Sequence, residues 1–147
     1  LLLAPLARKR GVTLAFGESH GGVRALADAV QIQQVFTNLV LNAIQAMSRG
    51  VVTATVRRER RRAPERLGGD ERSWAVVDIR DEGPGIPPAH LSQLFDPFFT
   101  TKAVGEGTGL GLSVAWGIVA EHGGWIEVES EPGQGARFHV FLPDAEA

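Results

Sequence analysis

The chain has 147 residues, a formal net charge of −2, 44% apolar and 22% charged residues, and no cysteine. One domain of this length buries about two thirds of its extended surface, and so mild a charge gives no reason to expect a nucleic-acid partner or an acidic membrane surface. Disulfides, thiolate chemistry and cysteine zinc sites are excluded, no apolar run approaches the ~20 residues that span a bilayer, and no signal peptide is visible; a reducing, cytoplasmic setting suits such a chain.

The sequence begins Leu1-Leu2-Leu3-Ala4-Pro5 without an initiator methionine and reads as a piece of a longer protein. Residues 1–10 read as a helix tail or linker ending in Arg8-Lys9-Arg10, and residues 11–147 as one domain. Val12 to Phe16 alternates like a strand, Glu18 to Gly22 is a turn, and Val23 to Leu26 is a short strand leading to Asp28, a good helix N-cap. From Ala29 to Met47, apolar residues at Ile32, Val35, Phe36, Leu39, Val40, Ala43, Ile44 and Met47 follow helical spacing, with a glycine cap expected at Gly50. The opposite stripe, Gln31, Gln34, Asn38, Asn42 and Gln45, holds amides and no charge. It is either an uncharged solvated face or, with Asn38 and Asn42 one turn apart, a pair addressing one ligand.

Val51 to Val56 and Trp74 to Ile79 read as antiparallel strands, joined through Arg57 to Asp70 by a long, basic, solvated hairpin loop. Pro87-Pro88 opens a short helix to Leu94, with Pro88 in its first position. Residues 95–108 form a loop, Gly109 to His122 a helix, and Trp125 to Val128 and Ala136 to Leu142 two strands around the turn Glu131 to Gly135. Strands and helices mix without a βαβ repeat. The expected class is α+β, a two-layer α/β sandwich with a mixed, mostly antiparallel sheet covered on one face by helices.

Chemistry concentrates between Asp81 and Leu112. Asp81 follows a strand and precedes Gly83 and Gly85, so its carboxylate can accept from an exocyclic amine such as that of adenine while the glycines let backbone approach the ring. The run Gly105 to Leu112 leads into a helix whose first N–H groups suit phosphate oxygens, with Lys102, either a plain loop lysine or a phosphate partner, just ahead. Neutral oxygens from Asn38 and Asn42 suit a Mg²⁺ ion that takes its other ligands from phosphate and water. A Walker motif is absent, and the Rossmann spacing fails because Gly107 and Gly109 are followed by Leu112 instead of glycine.

These segments in this order resemble the ATP-binding catalytic domain of sensor histidine kinases, of the superfamily shared with gyrase, the ninety-kilodalton heat-shock chaperones and mismatch-repair ATPases, and hence a Bergerat-type fold. Gln34 to Ala43 resembles the asparagine box, and Asp81, Gly83 and Gly85 the adenine-reading box. Phe95, Phe98 and Phe99 resemble the phenylalanine box, Gly107, Gly109 and Gly111 the lid box, and Gly133 with Gly135 the last glycine box. Asp96 to Lys102 is most similar to the nitrogen-regulation type, with Glu106 and Arg137 as small departures. The resemblance implies ATP and Mg²⁺ as cofactors, with the metal on Asn42 and Asn38 and catalytic roles for Asn38, Asn42 and Lys102. It implies nucleotide contacts from Asp81, Gly83, Gly85, Ile86, Phe95, Phe98, Thr101 and Lys102, and from Gly107, Thr108, Gly109, Leu110, Gly111 and Leu112. It also implies a lid, about Phe99 to Thr108, that orders on nucleotide binding.

In hydrolytic members of this superfamily a glutamate sits four residues before the metal asparagine. Here that position is Asn38, an amide without useful basicity, which favours phosphoryl transfer to a histidine, whose neutral imidazole needs no general base, over hydrolysis. His20, His90, His122 and His139 lack the acidic context of the phospho-acceptor, which is expected on an upstream dimerisation hairpin. The expected partners are therefore ATP or ADP, that hairpin in a homodimeric parent, and a response-regulator receiver domain, with the fragment itself monomeric and without membrane insertion. The contrasting expectation is a catalytically silent, nucleotide-dependent binding module.

Overall fold

In a computed structural model, residues 3–16, 23–97 and 111–145 are described. Helix α1 (Leu3–Lys9) precedes strand β1 (Val12–Phe16), and helix α2 (Ala29–Gln45) leads to the long hairpin of β2 (Gly50–Arg62) and β3 (Glu71–Arg80). A short helix α3 (Pro88–Leu91), helix α4 (Gly111–Glu121) and strands β4 (Trp125–Ser130) and β5 (Ala136–Pro143) complete the order. The sheet runs β1-β2-β3-β5-β4; β1 is parallel to β2 and every other neighbour is antiparallel. The expected sandwich is the one observed.

Strand alternation sends successive side chains to opposite faces. Val52 on β2, Ile79 on β3, Phe138, Val140 and Leu142 on β5 and Ile126 on β4 face the helices, where Val35, Leu39, Ala43 and Ile44 of α2 and Ala115 and Val119 of α4 are buried against them. Each such aliphatic side chain, taken out of water, contributes about 1.5–3 kcal/mol. Ala7 of α1 is buried in the same core, so the first helix packs on the domain.

The outer face is not uniformly polar. Toward the hairpin end, Trp74, Val76, Trp125 and Phe141 bury one another together with Ala63. Trp125 stacks on Phe141 at 4.3 Å and meets Trp74 edge-on at 4.6 Å. The Trp74 indole N–H donates to the Arg61 carbonyl at 3.1 Å, so the polar end of the buried ring is satisfied.

Four local expectations are corrected. The basic stretch from Arg57 is strand, not loop: the hairpin pairs without interruption from Thr53–Arg80 to Arg62–Glu71, leaving only residues 63–70 to turn it. Charge hid the period. Arg57 and Arg61 alternate onto the outer face, where they bond Asp78 at 2.8 Å and Glu127 at 2.9 Å, while Arg58, on the other face, binds the buried Asp144 at 2.6 Å. Second, the expected strand at Val23 to Leu26 is a single bridge, Ala25 to Asp144, flanked by hydrogen bonds from Leu26 to Pro143 and from Ala145 to Arg24. Third, α2 closes at Ala46 in right-handed helical geometry, and Gly50 opens β2 instead of capping the helix. The last carbonyl of α2, at Gln45, and that of Met47 just beyond it are taken by the Arg10 guanidinium, at 3.1 and 3.3 Å. Fourth, α3 ends at Leu91, and the chain continues as turns through Asp96. The expected turn at Glu18 to Gly22 lies outside the described residues, as do the lid and Phe98, Phe99, Thr101, Lys102, Gly107, Thr108, Gly109 and Leu110.

Candidate nucleotide site

Helix α2 sets the scale of the site. Asp28 caps it, its Oδ1 accepting from the Val30 and Gln31 N–H groups at 3.0 and 3.1 Å. The Asp28 N–H donates to His122 Nε2 at 3.0 Å, while His122 Nδ1 lies 2.8 Å from the Ile118 carbonyl. This fixes the neutral tautomer with the proton on Nδ1, and it ties the end of α4 to the start of α2, so the two helices run antiparallel. His122 is a packing residue, as the sequence implies.

At the far end of α2 stands the acidic turn. Asp81 is 4% exposed, and its Oδ1 accepts from the Gly83 N–H at 2.9 Å and the Ala136 N–H at 3.2 Å. Oδ2 carries no hydrogen bond among the described residues and is open to solvent, leaving one oriented acceptor for a ligand amine. Burial pushes the Asp81 carboxyl above its ordinary value, and the two backbone donors pull the other way. Gly83 closes the turn against α2: a Cβ there would stand 3.2 Å from the Ala46 carbonyl and from Met47.

The last glycine turn holds the acidic turn in place. Gly85 has φ +81°, and a Cβ would come within 2.4 Å of the Glu131 carbonyl; Gly135 has φ +79°, and a Cβ would meet the Asp81 carbonyl at 2.2 Å. The Gly133 N–H donates to the Pro84 carbonyl at 2.7 Å. Ser130 Oγ accepts from the Ile86 N–H at 2.6 Å and donates to the Gly135 carbonyl at 3.1 Å. Sequence reasoning missed Ser130 and Ala136; the only signal was the glycine turn beside them, read as the last glycine box.

Asn38, Asn42 and Ala46 follow one another at single-turn spacing on α2, so Asn38 lies about 12 Å along the axis from the acidic turn at Ala46. Asn38 Nδ2 donates to the Gly111 carbonyl at 3.0 Å, and its Oδ1 accepts from Gln34 Nε2 at 2.8 Å. The asparagine helix thus meets the first described residue of α4, and any cation on Asn38 Oδ1 competes with the Gln34 amide. No group of three or more His, Cys, Asp or Glu side chains that could hold a metal occurs among the described residues. A cation here fits only with neutral amide oxygens supplemented by ligand oxygens. Of the expected contacts, Asn38, Asp81, Gly83, Gly85, Ile86 and Gly111 have contacts along this line, Asn42 lies one turn from Asn38 on α2, and Leu112 packs against the core. The half-buried Phe95 ring lies 4.9 Å from Trp116 and 6.4 Å from Phe138, packed against the core.

A buried carboxylate with one open oxygen, two amides along a helix and a glycine-supported turn suit a purine nucleotide, and the comparisons agree. The family model described as histidine kinase-, DNA gyrase B-, and HSP90-like ATPase matches residues 27–146. The sensor histidine kinase ZraS of Klebsiella oxytoca is 41% identical over 97% of this chain, which spans 28% of that protein. The sensory histidine kinase/phosphatase NtrB of Rhodobacter capsulatus is 42% identical over 82% of this chain, and the match spans 34% of that protein. Among solved structures, the nucleotide-free catalytic domain of histidine kinase ThkA superposes with a TM-score of 0.76 at 34% identity, covering 97% of this chain and 85% of that one. Full-length ShkA, in complex with AMPPNP, gives 0.77 at 29% identity, covering 98% and 28%. The chain belongs to the histidine kinase-, DNA gyrase B- and HSP90-like ATPase family, and within it is an ATP-binding catalytic domain of the sensor histidine kinase kind.

Proposed function

We propose that this domain holds ATP with Mg²⁺ and delivers the γ-phosphoryl group to a histidine on an upstream hairpin of a dimeric cytoplasmic sensor, whose parent passes it on to a response-regulator receiver domain. Residues 1–10, with α1 among them, are then the tail of that hairpin. The observation that carries the reading is α2 itself: no acidic residue occurs along it, and the amide of Asn38 is committed to Gly111 and Gln34. An amide cannot deprotonate water, so the helix positions phosphate and supplies no base for hydrolysis. Asp81 Oδ2 reads the adenine amine, and Gly83 and Gly85 bring backbone up to the ring. Asn42 and Asn38 hold the cation with phosphate and water, and the ion would offset charge on the phosphates. Lys102 and the glycine run up to Leu112 complete the phosphate contacts. A neutral imidazole attacks without first losing a proton, so positioning and charge stabilisation suffice.

Calorimetry with ATP, with and without Mg²⁺, tests the binding half. Asp81→Asn is expected to weaken binding about ten- to a hundredfold, the range for losing a hydrogen bond to a charged group, and Asn42→Ala to abolish the metal dependence. Transfer of labelled γ-phosphate to the parent's hairpin, supplied in trans, tests the other half. Steady phosphate release by the domain alone would favour a hydrolase. ATP binding without any transfer would favour a silent, nucleotide-dependent binding module.

A further inference from the structure

On the outer face of the sheet, strand register sets side chains in rows. One row reads Thr53, Arg80, Arg137, Glu129 across β2, β3, β5 and β4; the next reads Thr55, Asp78, His139, Glu127. A groove of about 350 Å³ lies over these rows, lined by Thr53, Thr55, Arg57, Asp78, Arg80, Arg137 and His139. Three guanidinium groups face it against one carboxylate.

Arg80 and Arg137 stand directly opposite each other. The Asp81 N–H bonds the Ala136 carbonyl at 2.9 Å, which makes the neighbouring pair the hydrogen-bonded one. Arg80 and Arg137 are therefore a non-hydrogen-bonded pair, the kind whose side chains stand closest, and like charges so placed repel. The nearby carboxylates are already engaged: Asp78 by Arg57 and His139, and Glu129 Oε1 by His139 Nε2 at 2.9 Å. Neither Arg80 nor Arg137 has an ion pair or side-chain hydrogen bond among the described residues. Two exposed, facing guanidiniums with a hydroxyl beside them form a set of N–H and O–H donors that lacks an acceptor.

We propose that this row is a binding site for a small doubly charged oxyanion of the phosphate or sulfate class, held between Arg80 and Arg137 with Thr53 Oγ1 as a further donor. An anion there turns the repulsion into two charge-assisted contacts. An extended acidic chain suits the groove less well, because Asp78, Glu127 and Glu129 flank it. The site is separate from the nucleotide site: Asp81 and Ala136 are the next residues on their strands, and alternation sends their side chains to the other face.

The test is a titration of this 147-residue chain with inorganic phosphate at constant ionic strength, matched with sodium chloride, followed by backbone amide NMR. The expected result is a saturable shift at Thr53, Arg80, Arg137 and their neighbours. In Arg80→Gln/Arg137→Gln that shift is expected to vanish or move to at least tenfold higher phosphate. The same variant is expected to keep wild-type ATP binding, which shows that it is folded. Equal phosphate responses in wild type and variant, or shifts in wild type only within the nucleotide site at residues 81–86 and 102–112, would overturn the proposal. So would a chloride titration that reproduces the phosphate response.

Discussion

His139 is the residue whose chemistry responds most directly to solution conditions. Its Nδ1 bonds Asp78 Oδ1 and its Nε2 bonds Glu129, with the side chain 11% exposed. The Asp78 hydrogen bond is the main influence raising its pKa; burial opposes it, and the charges of Asp78 and Glu129 add to the rise. The Asp78 carboxyl feels burial most, but hydrogen bonds from His139 and Arg57 outweigh it and hold the pKa down at about 2. The signs follow from linkage. A raised histidine pKa contributes stability that is complete below the unfolded value of 6.5 and is lost as pH rises through the folded value. A depressed aspartate contributes stability present above 3.8 that is lost as pH falls toward about 2. Urea midpoints measured from pH 6 upward are therefore expected to decline, and His139→Gln to flatten that decline. A wild-type curve as flat as the variant's would show that the imidazolium contributes nothing. Gly135 offers a second test at this scale. Gly133→Ala and Gly135→Ala both place a side chain at φ near +80°, but only at Gly135 does the new Cβ collide with backbone, that of Asp81. The Gly133 change is expected to cost about 1–2 kcal/mol from backbone strain alone. The Gly135 change is expected to cost more and, on the proposed function, to weaken ATP binding as well, because it displaces the turn that carries Asp81. Asp81 stood out only through its order among the other motifs, since an acidic glycine turn by itself is more often a plain β-turn. Its backbone partner Ala136 did not stand out, because the bond joins residues 55 apart and no local pattern records such a pairing.

Among the elements, the β2–β3 hairpin departs furthest from what composition suggests. Helix α2 was legible because its apolar period is long and its cap residue is Asp28. The basic stretch was misread because charged residues are usually solvated, and here the alternation is of charge, Arg57, Glu59, Arg61, with partners supplied by other strands. The buried aromatic cluster at that end was equally hidden: Trp74, Trp125 and Phe141 come from three strands and meet only once the register is set. This cluster packs the outer face at the hairpin end. Trp74→Ala is expected to lower the unfolding free energy by about 3–5 kcal/mol, the usual cost of deleting a buried large aromatic side chain. Chemical denaturation would show it, and a loss below 1 kcal/mol would mean that the outer cluster is dispensable. Phe95, grouped with its neighbours by the motif, is half-buried, and its ring packs against Trp116 at the edge of the core.

For the whole molecule, the two ends of α2 are held by distant parts of the chain. His122 takes the first N–H at one end, and Arg10, just past α1, takes the last carbonyls at the other. The helix that carries both asparagines is thus mechanically joined to the chain just after α1. Arg10→Ala is expected to cost about 1–2 kcal/mol, the range for charge-assisted hydrogen bonds that are partly solvated. Hydrogen exchange at Ala46 and Met47 should accelerate in that variant; unchanged exchange there would mean that water replaces the guanidinium without loss.

The position of β5 also governs when the site can exist. It is the last strand in sequence, yet it lies inside the sheet between β3 and β4 and supplies the N–H that orients Asp81. A nascent chain that has emerged only as far as β4 has the asparagines and the acidic turn, but not the strand that fixes the carboxylate. The Asp81 carboxylate is oriented only after β5 has joined the sheet, so any ligand that it holds is recognised only by chains whose sheet is already closed.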